Sequence, residues 1–316
     1  MILITGVGGF AGRHLAALCA ARGVEVAGLG RDERPDMPEL SAYERVDLRD
    51  TEAVRAAIAR VAPGQVVHLA AEASVARSWE APAEVISDNV TTSLNLLEAL
   101  RLEAPEAVTL MACSGEEYGR PEQLPVDETH TLSTRNPYAT SKAMVDVLAG
   151  SYAEMHGMRV LRARAFNHAG PGQSDIYVVA QFARQIAEAE AAEPASGSVT
   201  ILTGNTTVSR DFCDVRDVVR AYLLALERAE AGVFNVCSGR ATAVSDILSG
   251  LAAHSSLEVE CRIDPSRLRD NEVMEIRGSH ERLTELTGWR PEIELTETLR
   301  DTLDWWRERL AAGAVR

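Results

Sequence analysis

The chain has 316 residues, with 47 acidic against 32 basic side chains and a net charge of −15. A surface this acidic excludes nonspecific binding to nucleic acid or anionic membranes, so any anionic ligand must be held by local arginines. The length can bury a large core and divide into two lobes.

Residues 1–5 form an almost wholly apolar run, as expected of a strand buried on both faces of a parallel sheet. A strand starting at Met1 predicts no signal peptide, and no apolar run is long enough to span a bilayer. The five cysteines (Cys19, Cys113, Cys213, Cys237, Cys261) are scattered, odd in number and lack metal-ligand spacing. They read as reduced thiols of a cytoplasmic protein with no metal site.

The strand runs into Gly6-Val7-Gly8-Gly9-Phe10-Ala11-Gly12, followed by a helical pattern at Leu15, Leu18, Cys19 and Arg22. Glycines at such a turn let the backbone approach a pyrophosphate whose charge rests on the helix N-terminus. The spacing is G-x-x-G-x-x-G, and Gly8 also leaves a G-x-G-like pairing open. A second strand, 24–29, ends in Gly30-Arg31, with no acid at its tip. About 20 residues past the glycines, a carboxylate would take the ribose 2′-OH of NAD, whereas an arginine accommodates the 2′-phosphate of NADP. Arg31 therefore favours NADP(H), and Asp32 beside it keeps NAD(H) open; a solvated loop arginine is the plain alternative.

Further strands are predicted at 43–46, 65–70, 108–113 and 159–164, with helices between them, notably 83–103 and 137–156. This alternation predicts a doubly wound, mostly parallel α/β sheet. Ser114 follows the fifth strand at the carboxyl end of the sheet, where ligands bind in open α/β folds. Its hydroxyl can hydrogen-bond a substrate oxygen. In Asn136-Pro137-Tyr138-Ala139-Thr140-Ser141-Lys142, Tyr138 and Lys142 share one helix face. A free phenol, with a pKa near ~10, is a poor acid or base at neutral pH, and an adjacent ammonium should draw it toward the working range. The pair suits proton transfer in an alcohol/carbonyl interconversion, although such spacing also occurs between solvated neighbours.

The ordered set Thr5-Gly6-x-x-Gly9-x-x-Gly12, Asp47-Leu48, His68-Leu69-Ala70-Ala71, Asn89, Ser114-Gly115-Glu116-Glu117-Tyr118-Gly119 and Tyr138-x-x-x-Lys142 resembles the extended short-chain dehydrogenases/reductases that modify nucleotide sugars. The resemblance spans essentially the whole chain. It implies a Rossmann-type sheet with a smaller C-terminal substrate-binding lobe, divided as 1–165 plus about 210–238 and about 166–209 plus 239–316. Joined to the readings of the glycine turn (Gly6, Gly9, Phe10, Ala11, Gly12) and of Arg31, it implies cofactor contacts from Asp47, Leu48, Leu69, Ala70, Ala71, Tyr138 and Lys142, with Ser114, Tyr138 and Lys142 catalytic. Lys142 would also hold the nicotinamide ribose.

Arg164 to Gln173 is similar to GDP-mannose dehydratases and GDP-4-dehydro-6-deoxy-D-mannose reductases. The runs 210–218, 235–239, 264–269 and 287–291 resemble the reductases best. By that resemblance Asn167, Arg210 and Arg269 would hold the nucleotide diphosphate-sugar and Glu272 would read guanine. Arginine forks suit a diphosphate, and a carboxylate can accept two guanine N–H bonds. Arg267 is read with Arg269 as diphosphate-binding or as part of a basic surface turn. Ala165 and Asp270 stand where proline is usual, and Gly115 where serine is common.

The implied reaction is NADPH-dependent reduction of a nucleotide 4-keto-6-deoxy sugar, GDP-4-dehydro-6-deoxy-D-mannose to GDP-D-rhamnose. Glu116 keeps a dehydratase or epimerase in play, because dehydratases place a proton-abstracting Glu there; an exposed turn glutamate is the other reading. The glycine turn lacks the Gln-Asp-Gly run of GDP-mannose dehydratases. A non-catalytic NADP-binding regulator is a minor alternative. A homodimer is expected, because 137–156 carries a surplus apolar stripe (Met144, Val147, Leu148, Ser151, Tyr152, Met155) beside 83–103.

Overall fold

The structure, a computed structural model, describes residues 1–192, 197–229, 231–268 and 272–313. The first half contains β1 (Ile2–Thr5), α1 (Phe10–Ala21), β2 (Val26–Gly30), β3 (Leu40–Arg45), α2 (Thr51–Val61) and β4 (Gln65–His68). There follow α3 (Val75–Glu80), α4 (Pro82–Glu103), β5 (Val108–Ser114), α5 (Pro137–His156) and β6 (Val160–Ala165). The second half has β7 (Asn167–Ala169), α6 (Val178–Ala191), β8 (Ser198–Thr203), β9 (Ser209–Asp214), α7 (Val215–Arg228) and β10 (Gly232–Val236). It closes with β11 (Ala241–Ala243), α8 (Val244–Ala252), β12 (Glu258–Ile263), α9 (Glu281–Thr287) and α10 (Leu295–Ala311).

Seven strands form one sheet in the order β10-β6-β5-β4-β1-β2-β3. Every pairing in it is parallel. The order reverses between β1 and β4, which opens a ligand crevice at their carboxyl ends. Alternation along β1 sends Ile2 and Ile4 into the core beneath α1 and α7, and Leu3 into the core beneath α2, α4 and α5. A third core, built on Phe182, Ile186, Ile247, Leu251, Leu299, Leu303 and Trp306, joins α6, α8 and α10 beside two small sheets, β11-β9-β7 and β12-β8.

Several boundaries differ from the sequence expectation for local reasons. β2 starts at Val26 rather than 24, because Val24 N–H still closes the end of α1 on Cys19 O at 2.9 Å. β3 begins earlier, at Leu40, where Ser41 Oγ donates to Val26 O and the register shifts. β4 ends at His68, since the next two N–H groups turn to Thr5 Oγ1. β10 completes the sheet on β6, a strand not singled out from sequence.

The helix α5 keeps its predicted bounds, and its caps explain why. Asn136 Oδ1 accepts the Ala139 N–H at 2.7 Å, Pro137 occupies the first turn, and Gly157 closes the helix at φ +66°. The closing Thr287-Gly288-Trp289 run has a packing role. Trp289 is fully buried and its indole N–H donates to Asp217 O at 3.0 Å, which docks the C-terminal segment on α7.

Candidate active site

Gly6 lies at φ +68°, and a Cβ there would stand 2.9 Å from Ala70 N; at Gly12 it would fall 2.4 Å from Gly6 O. Only glycine permits this approach of α1 to the strand ends. Gly9 caps α1 without a side-chain acceptor, and no acid sits in the first turn formed by Phe10 and Ala11. This cradle fits the pyrophosphate of a dinucleotide, offering helix N–H donors with no competing carboxylate. Phe10 stacks on His168 with ring centroids 5.9 Å apart, and His14 Nε2 meets Pro171 O at 2.8 Å. The turn is thereby braced against the segment after β7.

At the tip of β2, Arg31 and Asp32 are 70% and 90% exposed, 4.0 Å apart. Asp47 is gripped by the Arg49 guanidinium at 2.7 Å, and these hydrogen bonds hold its carboxyl down at about 2. Leu48 is buried, and its carbonyl accepts from Asn95 Nδ2 at 2.9 Å. Leu69 and Ala70 donate their N–H groups to Thr5 Oγ1, 3.2 Å each, which places them beside the glycine turn; Ala71 follows, part-buried.

The fold brings Ser114, Glu116, Tyr138 and Lys142 to one end of the sheet. Ser114 ends β5 and caps the short 3-10 turn Gly115–Tyr118, its Oγ accepting the Glu116 N–H at 3.2 Å. Tyr138 lies in the first turn of α5, part-buried. Burial pushes its phenol well above the ordinary range, opposed by its polar contact with Ser114 and reinforced by Tyr177, Glu116 and Glu117. This corrects the expected downward pull by Lys142. Buried Lys142 instead donates from Nζ to Ala112 O at 2.7 Å, and its own pKa is lowered by desolvation. Glu116 Oε2 accepts from Asn136 Nδ2 at 3.3 Å, which ties it to the start of α5.

The residues expected to grip substrate are placed less uniformly. Asn167 is exposed on β7, which pairs in parallel with β9. Arg210 on β9 is part-buried, with NH1 donating to Ser209 O at 2.9 Å and Val273 O at 2.8 Å. Glu272 Oε2 accepts from Asn205 Nδ2 at 3.2 Å. Arg267 is occupied internally by Leu202 O at 2.8 Å and by Asp264 at 3.5 Å. Arg269 and Asp270 lie outside the described residues. A Cβ on Gly115 would sit 2.9 Å from the Phe166 ring, so serine is sterically excluded there without a shift.

Two groups at this end were missed. Tyr177 faces Tyr138 closely enough to raise its pKa. Glu117 is fully buried behind Ser114. Nothing local separates Glu117 from the adjacent Glu116; only the inward turn of the backbone after β5 does.

The arrangement can donate a proton from the Tyr138 phenol to a substrate oxygen while a hydroxyl polarises that oxygen. The chain is 38% identical over 312 residues to a GDP-6-deoxy-D-mannose reductase of Pseudomonas aeruginosa, covering 98% of each. It superposes on the solved structure of RMD from Pseudomonas aeruginosa complexed with NADPH, with a TM-score of 0.86 and 36% identity over 98% of this chain and 99% of that one. The UDP-glucose 4-epimerase of Thermus thermophilus, solved in complex with NAD, gives a TM-score of 0.85 at 32% identity over 97% and 98%. The sequence profile of GDP-mannose 4,6 dehydratase matches residues 3–302, and the chain belongs to this family of nucleotide-sugar enzymes.

Proposed function

We propose that the chain reduces the 4-keto group of a nucleotide 4-keto-6-deoxy sugar with NADPH, GDP-4-dehydro-6-deoxy-D-mannose yielding GDP-D-rhamnose. The observation that carries this is the convergence of Ser114 at the end of β5 with Tyr138 and Lys142 in the first turns of α5, all at the carboxyl end of the sheet. The similarity to a GDP-6-deoxy-D-mannose reductase over nearly the full length supports the substrate class. Bound NADPH would supply the hydride to C4 of the sugar. Tyr138 gives its proton to the carbonyl oxygen, and the Ser114 hydroxyl holds that oxygen. Lys142, whose Nζ is fixed on Ala112 O, holds the nicotinamide ribose. The glycine turn holds the pyrophosphate, Leu69, Ala70 and Ala71 line the cofactor, Asp47 and Leu48 meet the adenine, and Arg31 takes the 2′-phosphate. Asn167, Arg210 and Arg269 grip the nucleotide diphosphate, and Glu272 reads the base. The lobe formed by 166–209 and 239–316 is assigned to the nucleotide sugar.

Incubation with NADPH and the GDP-linked 4-keto sugar should consume one NADPH per product, with the configuration at C4 read by NMR. A second reading, 4,6-dehydratase, is favoured by Glu116 beside Tyr138. Conversion of GDP-mannose to its 4-keto form without net cofactor change would replace the reductase reading.

A homodimer through α4 and α5 belongs to the same proposal. Met144, Val147 and Met155 are 42%, 60% and 75% exposed, so the second lobe leaves this stripe of α5 uncovered. Leu97 and Leu100 of α4 are instead spent on the core beneath the sheet. Sedimentation at micromolar concentration should give twice 34.2 kDa. Among the described residues no helix is long and apolar enough to cross a membrane, and all five cysteines are unpaired. A cytoplasmic setting accords with those thiols.

A further inference from the structure

Glu117 is a carboxyl with 0% exposure that the mechanism above does not use. Its Oε1 accepts the Ser114 N–H at 2.6 Å, while Ser114 Oγ accepts the Glu116 N–H. The reciprocal bonds lock the backbone of Ser114 at the end of β5. Oε2 is buried with no hydrogen-bond partner. The nearest cation, Arg164 Nε on β6, stands 3.8 Å from it but only 2.9 Å from Asp146 Oδ2. Arg162 also clamps Asp146, at 2.9 Å, and Arg164 NH1 donates to Tyr118 Oη at 3.0 Å. Asp146 therefore holds the guanidinium groups, and Glu117 is left with one N–H.

We propose that Glu117 is a positioning residue for proton transfer: its Oε1 sets Ser114 against Tyr138, and the charge on its carboxyl governs how readily Tyr138 releases its proton. This rests on the reading of Ser114 and Tyr138 as the proton-handling pair. Burial first and Asp146 second push the Glu117 carboxyl up to about 8, so it is largely neutral at neutral pH. The groups facing it are Cys113 on β5, Tyr138, Lys142 and Asp146 on α5, and Arg164 on β6. Ionisation above that pH adds a negative charge behind Tyr138, and a negative charge there opposes phenolate formation. Reduction should therefore slow along an alkaline limb that belongs to Glu117.

The test compares Glu117→Gln and Glu117→Leu with wild type across pH, on whichever nucleotide-sugar conversion the wild type performs. Glu117→Leu should lose about 10–100-fold in kcat, with the KM for NADPH changed less than about twofold. Glu117→Gln keeps an acceptor for Ser114 N–H and cannot ionise. It should recover most of that loss and move the alkaline limb of kcat up by about one unit or more. Infrared spectra of the ligand-free protein should show a protonated-carboxyl C=O band at neutral pH that is absent in Glu117→Gln. An unchanged alkaline limb in Glu117→Gln, or a wild type without that band, overturns the proposal, whether or not Glu117→Leu folds. A wild type that dehydrates GDP-mannose instead of reducing the keto sugar removes the reductase reading, and the band and limb still decide the role of Glu117.

Discussion

The carboxyl end of β5 and the small sheet β11-β9-β7 treat polar groups in opposite ways. At β5, Ser114, Glu117 and Lys142 are buried, and desolvation pushes the Glu117 carboxyl up and the Lys142 ammonium down. On the small sheet and its neighbours, Arg210, Glu272 and Arg267 stay part-exposed and already hold internal partners. The proposed function assigns proton transfer to the first place and the grip on an anion to the second. The difference separates groups that should act on kcat from groups that should act on KM.

The largest expected effect tests the buried end. Tyr138→Phe removes the only proton that the phenol can give and should lower kcat by about 10²–10⁴. NADPH binding, measured by fluorescence titration, should hardly change. Turnover equal to wild type would place proton donation elsewhere.

Arg210→Ala tests the other side. Its NH1 is anchored on Ser209 O and Val273 O, so the guanidinium is fixed before any ligand arrives. A hydrogen bond to a charged partner is worth about 1.5–3 kcal/mol, which predicts a rise of about ten- to a hundredfold in the KM for the nucleotide sugar. If kcat fell and KM stood still, the division between the two regions would fail.

Arg31→Ala should act more weakly, because the side chain is 70% exposed and screened by solvent. Exposed pairs contribute about 0.2–1 kcal/mol, so the KM for NADPH should rise by about two- to fivefold while that for NADH stays put. Equal changes for both cofactors would shift the assignment to Asp32.

Legibility in the sequence followed the same division. The helix α5 was readable because its signals are local: Asn136, Pro137 and Gly157 are caps that need no distant partner. The glycine turn was readable because a strand, a positive φ and a helix start succeed one another within twelve residues. β10 was not, because Gly232–Val236 is short and becomes a strand by pairing with β6, 71 residues upstream. The effect of Lys142 on Tyr138 was misjudged for a related reason. Spacing gives neighbours on a helix, but desolvation of the phenol and the reach of Nζ to Ala112 O depend on tertiary packing. Glu117 was hidden beside Glu116, since two identical residues in sequence carry no sign of which one turns inward.

The smallest expected effect probes the polar network that supports both strand ends, and it concerns stability rather than turnover. His68 is buried at the end of β4, with Nδ1 2.8 Å from Thr5 Oγ1 and Nε2 3.0 Å from Ser93 Oγ. Ser93 in turn donates to Asn89 O, and Asn89 Nδ2 to Ser141 Oγ on α5. Burial first, and Lys142 second, hold the imidazole down at about 3. Above the ordinary histidine pKa of about 6.5 both folded and unfolded chains carry it neutral, and it adds no pH dependence. Below that value the unfolded chain takes a proton that the folded chain refuses, so stability falls with pH until about 3. The slope is about 1.4 kcal/mol per pH unit, enough to lower Tm by about 2 °C for each unit below 6 in a chain of this size. His68→Gln keeps polar atoms in the site but cannot titrate. It should start less stable at neutral pH, having lost one of two hydrogen bonds, and then lose less Tm than wild type on acidification, in calorimetric scans between about pH 7 and 5. Parallel declines in the two proteins would show that other groups carry the acid sensitivity, and that the network beneath the glycine turn can absorb a proton without loosening the strand ends.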